Sequence, residues 1–79
     1  MKELIRLMTE IEKEYNVFGY NLQSDKCLNQ FNKDLMHTLE HDNLEELAMY
    51  YEGFKHECKE MIDYTKINKL INSLRELNK

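Results

Sequence analysis

With 79 residues, 42% hydrophobic and 33% charged, the chain has the make-up of one small globular domain, 1–79, and not of a disordered segment. No apolar run approaches the roughly 20 residues needed to cross a bilayer, so no membrane association is expected. A net charge of −4 weighs against a general phosphate-binding surface.

A domain of this size buries only about 60–65% of its unfolded surface, a thin margin for which oligomerisation is a common remedy. A homo-oligomer is therefore expected. Cys27 and Cys58 are too few for a disulfide scaffold, and reduced thiols in a cytoplasmic protein are the expectation. The first residues, MKELIRLMTEIEKE, are acidic and amphipathic and do not read as a secretory signal. Proline is absent, alanine occurs once, and glycine and arginine occur twice each. Residues with GC-rich codons are thus scarce, which points to an AT-rich genome such as that of a low-GC bacterium, its phages or its plasmids.

Leu4, Met8, Ile11, Tyr15 and Phe18 recur at spacings of four and three, predicting a first helix over 2–18. Gly19 is placed to stop it in a left-handed position, with Tyr20 folding back onto Tyr15. Ser24 or Asp25 can cap a second helix over 25–40, carrying Leu28, Phe31, Leu35 and Leu39. His41-Asp42-Asn43 reads as a tight turn, and Asn43 followed by Glu46 fits a capping-box-like start to a third helix over 44–62. Its stripe is Leu44, Leu47, Tyr51, Phe54, Cys58 and Met61 or Ile62. Beyond Ile62 the phase slips, and Ile67, Leu70, Ile71, Leu74 and Leu77 define a separate face over 65–77. A break near Asp63–Thr65 is expected, although one long helix over 44–77 is a rival because no glycine or proline enforces the break. The expected fold is all-α, a small antiparallel bundle of three to four helices.

Several constellations touch on chemistry. His37-Thr38-Leu39-Glu40-His41 matches the inverted zinc-protease pattern, and histidines at i and i+4 share a helix face. Asp34 is a weak third ligand on that face. Such a site also needs a distant ligand, a supporting shell and a cleft, which so short a chain does not offer. The competing account is a polar helix end suited to the dipole, so no metal and no cofactor are expected. Cys58 reads as a core residue, and neighbouring His56 and Cys58 do not form a chelating pair. Gly19 and Gly53 stand alone, with no phosphate loop around them. The expected class is not an enzyme.

A helix-turn-helix over the second and third helices has about the right connection, but its third helix opens with Glu45 and Glu46, where phosphate would be met. Nucleic acid is therefore not expected as a partner. Charge is uneven: Lys66, Lys69, Arg75 and Lys79 against Glu76 give residues 64–79 a net +3, leaving −7 on residues 1–63. The basic strip Lys66, Lys69 and Arg75 either packs across acidic neighbours in the same chain or faces an acidic partner. Glu10, Glu12 and Glu14 in the first helix, with Glu40, Asp42, Glu45 and Glu46 around the turn, read as a solvated face, or as a mimic of nucleic-acid phosphates.

Aromatic placement says more. Met49, Tyr50 and Tyr51 widen the apolar arc of the third helix beyond what one facing layer would cover. Tyrosine is enriched at interface hot spots. Tyr50, Tyr51 and Phe54 are the expected contact residues, with Glu45 and Glu46 adding specificity; the competing account is that the tyrosines edge the core with their hydroxyls in water. Gly53 in mid-helix either permits close approach of another helix or is tolerated on a free surface. The sequence thus reads as a small helical protein–protein interaction module, a regulator or inhibitor of a host macromolecule, self-associating and carried by a phage or plasmid. The alternatives are a helix-turn-helix regulator of nucleic acid and a metal-binding helical protein using His37 and His41.

Overall fold

A computed structural model describes residues 2–77 and contains four helices: α1 (Lys2–Tyr15), α2 (Asp25–His41), α3 (Leu44–Glu57) and α4 (Thr65–Leu77). No strand occurs among the described residues, so the all-α class holds. The chain divides into two units, one ending at Asp42 and the other beginning at Asn43.

In the first unit, α1 buries Leu4, Leu7, Met8 and Ile11, the i, i+3, i+4, i+7 face of the sequence pattern. Arg6 sits on the opposite side, bonded to Glu3 and, at 2.9 Å, to Glu10, which raises its pKa above the ordinary arginine value. The helix stops at Tyr15, three residues before the expected end. Asn16, with φ 53°, takes the left-handed position that had been expected of Gly19, and its N–H donates to the Glu12 carbonyl at 2.8 Å. Gly19 is also left-handed at φ 81°, but it lies in the following turn.

The cause of the early stop is Glu12. Only 2% exposed, its carboxylate accepts the backbone N–H of Phe18 at 3.1 and 3.2 Å and that of Tyr20 at 3.1 Å. Had the helix run on, the Phe18 N–H would have gone to a carbonyl four residues back. A charged acceptor inside the turn takes it instead, so the buried carboxylate and the loop amides satisfy one another.

Ser24 caps α2, its hydroxyl accepting the Cys27 N–H at 3.2 Å, and the helix buries Phe31, Leu35 and Leu39. Tyr20 turns toward α2: its ring meets Phe31 edge-on with centroids 4.9 Å apart. Its hydroxyl donates to Asp34 at 2.5 Å. That bond to a carboxylate pushes the Tyr20 pKa up to about 12 and holds Asp34 below its ordinary value.

The second unit is a helical hairpin. Asn43 caps α3, its side-chain oxygen accepting the N–H groups of Glu45 at 2.9 Å and Glu46 at 3.3 Å. Lys55 donates to Asn68 at 3.0 Å near one end, and Arg75 lies 3.4 Å from Glu45 near the other. Those two cross-links make α3 and α4 antiparallel. The buried residues are Ala48 and Tyr51 on α3, Met61 in the connection, and Ile67, Leu70, Ile71 and Leu74 on α4.

The third helix ends at Glu57, not at residue 62, and the single long helix is excluded. At about 100° per residue, the α4 stripe would sit some 120° away from the Ala48–Tyr51 face if the helix continued straight, so one rod could not turn both inward. Met61 would be about 110° out of phase for the same reason. Breaking the helix lets all three sets pack together. Cys58 closes α3, donating its N–H to the Phe54 carbonyl at 2.9 Å, and is half-buried at a helix end instead of lying on the core stripe. Asp63 opens α4 by accepting both the N–H (2.9 Å) and the hydroxyl (2.6 Å) of Thr65, which lowers the Asp63 pKa.

Candidate contact surface

The inward side of α3 is marked by Ala48 and Tyr51, both 0% exposed and three positions apart. Tyr51, expected as a contact residue, is therefore a core residue, and its place on the contact surface is corrected. A ring buried to that extent has no surface left to offer a partner. Its neighbour Tyr50, about 100° farther round the helix, is 51% exposed and meets the Tyr51 ring edge-on at 6.5 Å, so one tyrosine is in the core and the other at the surface. Phe54 is half-buried at the boundary.

The outward side carries Glu46, Met49, Tyr50, Gly53, His56 and Glu57, all exposed. Met49 is 60% exposed, more than Tyr50. A Cβ built on Gly53 meets nothing within 4 Å, so this glycine faces open space and not a neighbouring helix. The helix thus shows apolar side chains on both faces. The aromatic spacing alone does not say which side faces inward. The chain's single alanine was the available signal, since a small residue on a helix marks close approach, and Tyr51 lies one turn from it.

The acidic pair at the helix start splits in role. Glu45 is half-buried and faces Arg75 across the hairpin, whereas Glu46 is exposed. Arg75 accordingly belongs to the packing of α4 on α3, while Lys66 and Lys69 stay exposed on α4. A shallow open depression of about 340 Å³ lies near the turn, lined by Lys55, His56, Tyr64 and Asn68. Lys55 is engaged there by Asn68 and by Glu52 at 3.7 Å.

On α2 the rings of His37 and His41 lie 4.7 Å apart, as their spacing requires, and both are exposed. Asp34 is committed elsewhere, accepting the Tyr20 hydroxyl and, at 3.0 Å, the Gln30 amide. Among the described residues no group of three or more histidines, cysteines, aspartates or glutamates is placed to hold a metal ion. The helix-turn-helix pattern draws on α2 and α3, which belong to different units.

No helix among the described residues is long and apolar enough to cross a membrane. Comparison with protein-family models, with curated proteins and with solved structures finds no match to this chain.

Proposed function

We propose that this chain is a small helical protein–protein interaction module, a regulator or inhibitor that acts by binding another macromolecule through the outward face of α3. One observation carries the reading: α3 buries Ala48 and Tyr51 on one side while holding Met49 and Tyr50 more than half exposed on the other. A helix that served only its own hairpin would need one apolar stripe with a polar back. Adjacent exposed apolar side chains beside an open glycine, rimmed by carboxylates, fit a contact patch with a polar rim.

Phe54 extends the patch toward the core, and Glu46 takes the specificity role first given jointly to Glu45 and Glu46. Self-association is one form such contact can take. The AT-rich composition fits a phage- or plasmid-borne gene acting on a host protein.

The experiment replaces Met49 and Tyr50 with serine together. Helix content and the unfolding midpoint should stay near those of the parent chain. Capture of partners from lysate of the encoding organism, or oligomeric mass by sedimentation, should change. If the doubly substituted chain captures the same set and sediments identically, the reading fails.

A further inference from the structure

The outward stripe of α3 is ordered along its length. Residues 46, 49, 50, 53, 56 and 57 fall within an arc of about 120°, and about 16 Å separates Glu46 from Glu57 along the axis. Apolar Met49 and Tyr50 and bare Gly53 occupy the middle, a carboxylate stands at each end, and His56 lies beside the Glu57 end. We propose that this stripe binds a cationic amphipathic helix of another protein, laid along α3 with apolar anchors over Gly53, Met49 and Tyr50 and lysine or arginine facing Glu46 and Glu57. The proposal rests on the interaction reading above and names its partner class.

Charge selects this occupant. Glu45 faces Arg75 and Glu52 faces Lys55 within the hairpin, so the carboxylates nearer the core have basic neighbours in the chain. Glu46 and Glu57 bracket the exposed stripe instead. A second copy pairing α3 against α3 about a two-fold axis would set Glu46 against Glu46 or Glu57 of its mate, juxtaposing like charges. The α4 strip of a second copy offers Lys66 and Lys69, but its exposed apolar side chains, Ile62, Tyr64 and Leu77, lie before the helix or at its last residue and none stands between the lysines. Anionic lipid and nucleic acid would both meet the same carboxylates. A basic helix with one apolar face satisfies the middle and the ends together, and the missing side chain at Gly53 gives its anchor room.

Fluorescence anisotropy with the full chain tests this. The first probe is a labelled leucine–lysine peptide of about 15 residues with leucines at i, i+3, i+4 and i+7. A second probe carries glutamate for every lysine, and a third has the first peptide's composition with its leucines scattered around the helix. The chain should bind the first probe about tenfold more tightly than the third, and the second not at all. Reversing Glu46→Lys with Glu57→Lys should weaken the first probe by about tenfold. Reversing Glu14→Lys with Glu40→Lys, the same change in net charge elsewhere, should leave it within about twofold.

Equal losses in the two reversed variants, or equal binding of the first and third probes, would reduce the effect to general acidity and overturn the proposal. Binding of the glutamate probe, or of none, overturns the partner class. In that case Tyr50→Ser separates the two readings. Altered capture or sedimentation keeps the contact face with a different partner, and no change removes both.

Discussion

Between α1 and α2 the chain turns around a buried carboxylate, whereas between α3 and α4 it turns around a buried methionine and a surface aspartate. The first turn depends on polar bonds in a dry setting: the amides of Phe18 and Tyr20 have given up helical carbonyls for Glu12. The second depends on apolar phase, with Met61 buried and neighbouring Ile62 92% exposed, and Asp63 only finishing the helix start. A helix can therefore be ended by an acceptor that outcompetes its carbonyls or by stripes that cannot share a face. Neither end here uses glycine or proline.

The comparison can be broken by substitution. The largest losses should come from the apolar cores, where Phe31→Ala should cost about 3–5 kcal/mol and Leu74→Ala about 2–5 kcal/mol in denaturant unfolding. Glu12→Ala follows, at about 2–3 kcal/mol, because two turn amides lose a charged acceptor. Glu12→Gln should cost less, since an amide oxygen still accepts. Equal losses for the two would show that the charge of Glu12 plays no part in holding the turn. Asn43→Ala should cost about 1 kcal/mol through loss of the α3 cap, read as a lower thermal midpoint with less helix. The smallest effect has the opposite sign. Gly53→Ala should stabilise the chain by about 0.5–1 kcal/mol, because the position is mid-helix and open, while weakening whatever packs against it.

Much of this architecture was legible in the sequence. The buried faces of α1, α2 and α4, the caps at Ser24 and Asn43, and the phase slip before Ile67 all follow from spacing and from the hydrogen bonds that short polar side chains make. The exceptions are Phe18, beyond the early end of α1, and Leu77, at the last turn of α4, which are exposed where the stripes placed them inward. What escaped was set by contacts that no local pattern encodes. Glu12 reads as one more solvated charge, since nothing nearby announces that the chain will fold back to offer it two amides. Tyr20 looked able to reach Tyr15 and instead reaches Phe31 and Asp34 on the next helix. In the candidate site the aromatic cluster was visible, but its division into an inward Tyr51 and outward Tyr50 depends on which side of α3 meets α4. Met49 belongs to the widened apolar arc of the sequence pattern but not to the expected contact residues, because spacing alone does not reveal that it is 60% exposed.

The two sides of α3 meet in adjacent residues, and a pair of single substitutions separates them. Equilibrium unfolding of Tyr50→Ser and Tyr51→Ser should differ sharply: the first should leave the midpoint within about 0.5 kcal/mol of the parent, and the second should cost about 3 kcal/mol or more. Similar losses in both variants, or a larger loss at Tyr50, would place Tyr50 in the core and leave α3 without an outward apolar face.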